Sequence, residues 1–433
     1  MPLDEAPHAR ARLAAPRTVA YNGRRRIERF THIAGRCTVT NKGDTWNECE
    51  SSRDTFTQRR VLRITTAGCY NQTPTYHTGT AWTADGKTLC FHSGRNGASA
   101  LFRCDLPSGD ITQLTEWAPG MAVGRVAGAA AAYADESIHG GICVAPRKRW
   151  VTFIRGRSLC AVHLDTLEER TLIDDWGYMP IGMPTIDAEE RTIAYPRNIV
   201  PEPMRGADRL TVHVAVHYAA PGGSLMQLCR IPLEGGEEEV LYEEAMCRGN
   251  HLQYSPTDPD LLMTDRDYPP RFWFGSDGRT NRVWLYRIST REMIEMPSPS
   301  GKTFQVHSTW TWDGQYCLYH CPGADGYHIG LDDLAGNTVR EWNSPGWKYY
   351  GHVSAMQGRP AFILDGNLTN DLLLWFYYDA DQPRIEVISR HGTNWGGHEG
   401  QYPHPHPQSS PTGQHICYNH ADRGRSDVFV VEV

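Results

Sequence analysis

Trp82-Thr-Ala-Asp-Gly-Lys-Thr-Leu-Cys-Phe91 and Trp310-Thr-Trp-Asp-Gly-Gln-Tyr-Cys-Leu-Tyr319 carry one pattern: an aromatic residue, an Asp-Gly turn, then a β-rich run closing on an aromatic. An Asp-Gly pair between such runs predicts a hairpin. Weaker copies run through Pro146 to Phe153, Ile186 to Tyr195, Tyr254 to Met263, Gln357 to Leu364 and Ser409 to Tyr418, which makes seven. Each is followed by a second hairpin-like stretch, such as Ala100 to Thr115 or Arg282 to Met296. Two hairpins per copy, at a spacing of roughly 40 to 70 residues, suit a propeller blade. The expected fold is therefore all-β, a seven-bladed β-propeller of four-stranded antiparallel blades.

The ends of the chain fit a closed ring. The last copy stops after Asp427-Val-Phe-Val-Val-Glu-Val433, one strand short of the others, and Arg60-Val-Leu-Arg-Ile-Thr65 resembles the missing strand. Pairing the two would close the ring and remove an exposed sheet edge. Residues 59–433 are then the propeller. Residues 1–58 are an extension packed on it, with Gly23 to Arg26 and Asn41 to Asp54 expected as loops.

Composition bounds the remaining possibilities. With 433 residues, 40% hydrophobic and 21% charged, the chain can bury a large core and is not disordered. Its net charge of −7 and lack of a Lys/Arg block give no footprint for nucleic acid. No basic, apolar leader stands at Met1, and no apolar run of about 18 residues exists, so no membrane span is expected and the chain reads as soluble. The twelve cysteines form no CxxC pair, and Cys90, Cys104 and Cys229 sit in strand-like runs. Reduced thiols and a cytoplasmic location follow, or a periplasmic one if a signal segment has been removed. Cys317 and Cys321 read as buried thiols, and Trp82, Trp310, Trp312 and Trp395 as blade packing. Neither a Gly-x-Ser-x-Gly elbow nor a P-loop occurs.

Four consecutive copies place histidine at one register, as His251, His307, His352 and His406. One histidine at a strand start is commonly a hydrogen-bonded structural residue. Only 19 of 433 residues are histidine, so four in register need another reason. The innermost strands of a propeller line its channel, so equivalent positions on neighbouring blades face a common space. His404 lies two residues before His406, on the same face of an extended segment, and Gln401-Tyr-Pro-His-Pro-His-Pro407 is stiffened by its prolines. His404, His406, a third imidazole from a neighbouring blade and the Gln401 carbonyl oxygen make a plausible metal shell. Its mixed N and O character suits a divalent ion such as Mn²⁺ or Mg²⁺.

These stretches resemble the oligogalacturonate lyases, propellers that split oligouronides by β-elimination. The resemblance rests on His391-Gly-Thr-Asn-Trp395, on Gln401-x-x-His404-Pro-His406-Pro407 and on Ser410-Pro-Thr-Gly413. Upstream it rests on Arg282-Val-Trp-Leu, Val306-His307-Ser-Thr-Trp310 and Gly351-His352-Val-Ser354. It implies a manganese ion held by His352, Gln401, His404 and His406, with His307 and Arg282 as the catalytic pair. His251 would line the floor of the substrate site. The implied partner is an acidic oligosaccharide, cleaved to 4,5-unsaturated uronides in pectin degradation. His307 would act as base, Arg282 would assist and keep it neutral, and the metal would neutralise the sugar carboxylate; a second-ranked reading has Arg282 itself take the proton, which its very high pKa makes demanding. Ser308 departs from the family, which has Glu there, and the stretch from His352 to His404 is shorter. Both departures bear on which sugar is bound. Two other readings share the fold: a lyase for an ulvan- or rhamnogalacturonan-derived glycan, and a non-catalytic TolB-like propeller that binds a protein partner.

Overall fold

The two clearest copies of the repeat fold the same turn. Thr83 Oγ1 donates to Asp85 Oδ1 at 2.7 Å and Thr311 Oγ1 to Asp313 Oδ1 at 2.6 Å. In each case the following Gly, Gly86 or Gly314, takes a positive φ (64° and 69°) that a side chain would strain. The turn launches strands of buried, β-prone residues, and this motif recurs along the chain.

The computed structural model describes residues 40–68, 70–73, 79–95, 97–119, 138–175, 184–199, 225–245, 247, 249, 251–266, 282–296, 305–323, 326–344, 351–366, 371–393, 404–422 and 425–433. All belong to the second of two compact units, Cys37–Val433. Strands β1 (Thr45–Asn47), β2 (Glu50–Arg53), β3 (Arg60–Arg63), β4 (Tyr70–Gln72), β5 (Thr88–Arg95), β6 (Ala98–Asp105), β7 (Asp110–Gln113) and β8 (Ala118–Pro119) open the chain. Four-stranded antiparallel sheets follow. The first contains β9 (Ile138–Ala145), β10 (Trp150–Arg155), β11 (Ser158–His163) and β12 (Glu169–Ile173). The next contains β13 (Thr185–Ile186), β14 (Thr192–Ile199), β15 (Leu225–Pro232) and β16 (Glu239–Ala245). Then come β17 (Leu252–Tyr254), β18 (Leu261–Asp265), β19 (Val283–Arg287) and β20 (Glu292–Glu295). The two after that are β21 (Val306–Trp310), β22 (Tyr316–Gly323), β23 (Gly326–Asp333) and β24 (Thr338–Ser344), and β25 (Val353–Ala355), β26 (Ala361–Leu364), β27 (Leu372–Tyr377) and β28 (Arg384–Arg390). The chain ends in β29 (Gln408–Ser409), β30 (His415–Asp422) and β31 (Arg425–Glu432).

The all-β propeller class holds, but seven separate four-stranded blades do not. Among the described residues, five separate four-stranded sheets stand beside one eleven-stranded sheet that merges the first and last copies of the repeat. The merger has a simple cause. β3, the stretch singled out as the orphan strand, pairs antiparallel with β31 through Val61↔Val431 and Leu62↔Val430. A parallel bridge, Ser426↔Tyr70, then joins β31 to β4. The loop expected over Asn41 to Asp54 is also corrected, since it contains β1 on β7 and β2 on β3. Trp46 drives the first pairing by packing edge-on against Phe102, with ring centroids 5.8 Å apart. Gly23 to Arg26 lie outside the described residues.

Among the described residues, six of the seven hydrophobic clusters lie between two successive sheets, and the seventh joins the first and last copies of the repeat within the eleven-stranded sheet. Leu89, Phe91 and Phe102 pack with Leu62, Val428 and Val430 on one face of their sheet. Cys90 and Leu101, from the same strands, pack on the other face with Val144, Val151 and Phe153. This follows from the two-residue period of a strand, which turns neighbouring side chains to opposite faces. A sheet buried on both faces must have neighbours on both sides. The last cluster joins Trp375 and Ile363 to Val61, Tyr418 and Val431, which ties the end of the chain to its beginning. Nearly all of the ten described cysteines are buried. Trp82 and Trp310 are core residues, while Trp395 lies outside the described residues. No described helix is long and apolar enough to cross a membrane.

Leu62 is buried where β3 meets β31. Leu62→Ala is expected to cost about 2–5 kcal/mol in urea unfolding. Phe56→Ala, at a side chain 67% exposed, should stay within about 0.5 kcal/mol.

Candidate metal centre and active site

The channel histidines are set by the first hairpin of each sheet. Leu252 pairs with Thr264 and Val353 with Leu364, so the preceding residues, His251 and His352, stand opposite Asp265 and Asp365. The two pairs make the same bidentate contact. Asp365 Oδ1 accepts the His352 backbone N–H at 2.5 Å and Oδ2 meets its Nδ1 at 2.9 Å. Asp265 Oδ1 accepts the His251 N–H at 2.8 Å and Oδ2 meets its Nδ1 at 2.8 Å. A carboxylate only accepts, so the proton sits on Nδ1 of each ring and leaves Nε2 with its lone pair.

His352, His404 and His406 come together. One nitrogen from each lies within 4.8 Å of the others. Ring centroids are 4.1 Å apart for His352 and His406, 5.1 Å for His352 and His404, and 5.8 Å for His404 and His406. His352 and His406 are buried and His404 is half-buried. Burial, followed by repulsion from His352, pushes the His404 imidazole down to about 4, so it is neutral near pH 7. Three converging imidazole nitrogens are a donor set that suits a divalent cation. The Asp365 contact to His352 is the outer-shell carboxylate that metal-binding histidines characteristically carry. The residues present therefore fit a divalent ion. Gln401 lies outside the described residues.

His307 adjoins this cluster, its ring centroid 4.6 Å from that of His352. It sits at an irregularity in the β21–β22 pairing between Val306 and Thr309, with φ at 49°. His406 has φ at 44°. Positive φ at histidine is uncommon and costs energy, and a bulge re-aims a side chain out of the regular register. His307 Nδ1 lies 2.8 Å from Gly351 O and 2.9 Å from His320 Nε2.

Arg282 and His251 form a second group around Asp265. Arg282 Nη2 donates to Asp265 Oδ2 at 2.5 Å and lies 3.4 Å from His251 Nδ1, while Nη1 donates to Gln305 O at 3.1 Å. Burial alone would raise the Asp265 carboxyl, but Arg282 and then His251 outweigh it and hold the group well below the usual range. Asp265 balances the charge of Arg282, so the repulsion expected to keep His307 neutral is offset. Through Gln305 O, Arg282 instead holds the backbone two residues before His307.

Asp265, Asp365 and His320 went unnoticed in the sequence. Each lies 13 or 14 residues after a channel histidine, a spacing that extending the repeat alignment by one strand would have exposed.

No family model matches the chain. The fold and the three-histidine cluster define a β-propeller with a candidate metal centre. The family expected from the sequence is the one the comparisons reach. The chain is 22% identical over 403 residues to the oligogalacturonate lyase of Dickeya dadantii (strain 3937), covering 88% of this chain and 95% of that one. It also superposes on the crystal structure of an oligogalacturonate lyase from Vibrio parahaemolyticus with a TM-score of 0.71 and 19% identity, covering 90% and 98%. An oligogalacturonate lyase in complex with manganese gives a TM-score of 0.69 and 20% identity, covering 91% and 98%. The solved structures speak for the fold.

Two outcomes follow. Asp365→Ala should weaken divalent-ion binding about 10- to 100-fold in calorimetry, because His352 loses the group that holds its ring. His391 is buried, and burial pushes it down to about 4. Its pKa is lower folded than unfolded, so the unfolded chain binds the extra proton. Stability is full above about pH 6.5 and falls as the pH drops toward 4, by on the order of 3 kcal/mol for this group. Thermal unfolding in chelator should show that loss, and His391→Gln should flatten it.

Proposed function

We propose that this chain is a metal-dependent lyase that cleaves oligogalacturonate-like uronate oligosaccharides by β-elimination. The observation that carries the reading is the three-imidazole cluster with a fourth histidine, His307, whose tilted ring lies 4.6 Å from that of His352. The names of the similar proteins supply the substrate class.

His352, His404 and His406, with Gln401, would hold the ion, most readily Mn²⁺. When bound, it supplies a fixed positive charge that offsets the negative charge on a uronate carboxylate. Everything else falls to side chains. The proton on C5 is hard to remove because the adjacent carboxylate is already negative. His307 takes it on Nε2, since Nδ1 is committed to Gly351 O, and imidazole is matched to proton transfer near neutral pH. The C5–H electrons form the C4–C5 double bond, the C4–O4 bond breaks with its electron pair leaving on O4, and O4 takes a proton from solvent water while His307 later returns its own to solvent. Arg282, anchored by Asp265 and Gln305 O, presents a fixed guanidinium to the leaving oxygen or the sugar carboxylate. His251, on the same carboxylate, borders the substrate floor. Residues 59–433 would supply this machinery and 1–58 an extension to it.

The test is a panel of uronide oligomers followed by the ultraviolet absorbance of the unsaturated product. Turnover on galacturonate oligomers should disappear with chelator and return with Mn²⁺. His307→Ala should lower kcat by about 10²-fold or more, and His404→Ala should lower Mn²⁺ content with it. Turnover that survives chelation and both substitutions defeats the mechanism. Activity confined to ulvan- or rhamnogalacturonan-derived oligomers keeps the elimination and changes the sugar.

A further inference from the structure

We infer that His320 is a positioning residue for His307, holding the Nδ1 side of that ring so that Nε2 is left bare. The inference rests on the reading of His307 as the base. It begins from a break in a repeated pattern. In the sheets on either side, the residue opposite the channel histidine is a carboxylate, Asp265 under His251 and Asp365 under His352. In the sheet of His307 the strand register pairs His320 with Val306 across the irregularity, and His320, on β22 and 2% exposed, brings its Nε2 to 2.9 Å from His307 Nδ1.

The chemistry of the exchange is specific. A carboxylate at this position would take the backbone and ring N–H groups together, as Asp365 does, and would add a negative charge beside the ring. His320 offers a single nitrogen, buried and aimed at the ring of His307. Two ring nitrogens 2.9 Å apart share one proton, one donating and the other accepting. Gly351 O, 2.8 Å from His307 Nδ1 and also a partner of His320, accepts only, and on this inference the shared proton sits on His307 Nδ1, where it serves both neighbours at once. His320 is then the acceptor through Nε2. The ring of His307 is clamped between its own sheet and the residue preceding His352, and its positive φ is held in place by that clamp. The second nitrogen of His307 has no proton and is ready to receive one.

The experiment reads tautomer and turnover separately. Long-range proton–nitrogen NMR on histidine-labelled protein, with His307 assigned from His307→Ala, should show His307 protonated on Nδ1 and His320 bare on Nε2. His320→Leu removes the acceptor, and should lower kcat about tenfold or more while KM changes less than about twofold and Mn²⁺ content stays at the wild-type level. His320→Asn, whose amide oxygen can accept the same proton, should recover most of the loss. The inference is overturned if His307 carries its proton on Nε2, or if His320→Leu turns over as wild type. It is also overturned if the loss in both variants follows reduced Mn²⁺ content. If the leucine variant does not fold, the wild-type tautomer and the asparagine variant decide. A wild-type protein that forms no unsaturated product removes the lyase reading, while the tautomer still tests His320.

Discussion

A buried carboxylate that takes both the backbone N–H and the ring N–H of a channel histidine is the contact on which the site depends. Asp365 does this for His352, and its Oδ2 also lies 3.4 Å from the backbone nitrogen of His406. One side chain thus touches two of the three clustered histidines. A flexible imidazole would sample several rotamers and two tautomers, and would present a lone pair to the channel only part of the time. Bidentate pinning removes that freedom before any ligand arrives, which is what preorganisation means in energetic terms.

Pinning of this kind needs a rigid frame, and the frame comes from packing between sheets. Each sheet buries both faces, so a strand can move only if two neighbouring cores move with it. The strand pairing of β3 with β31 extends that constraint to the ends of the chain. His352 belongs to one sheet and His404 and His406 to the segment leading into the next, so the cluster exists only where neighbouring sheets are held in register. The positive φ values of His307 and His406 fit the same view, because local strain persists where surrounding packing over-determines the backbone.

Much of this was legible in the residues. The Asp-Gly turns at Asp85 and Asp313 declare hairpins because their side-chain bonds are local, and alternation of small and apolar residues declares strands. Register then carried the histidines to one mouth of the ring. The carboxylate and histidine partners were harder to see because pairing across a hairpin depends on where the turn and any bulge fall. His320 shows the difficulty, since the irregularity between Val306 and Thr309 shifts the count by which it faces His307. Arg282 was expected to act on His307 through its charge, but Asp265, close only in three dimensions, takes up that charge.

The sequence by itself determined the strand-and-turn repeat, the propeller class and the shared register of the histidines, because these follow from short-range periodicity and spacing. Only the tertiary structure decided how the ends merge into one eleven-stranded sheet, which groups hold each imidazole, and which charges cancel. Those outcomes depend on atoms brought within about 3 Å from distant parts of the chain, and no local pattern encodes such distances.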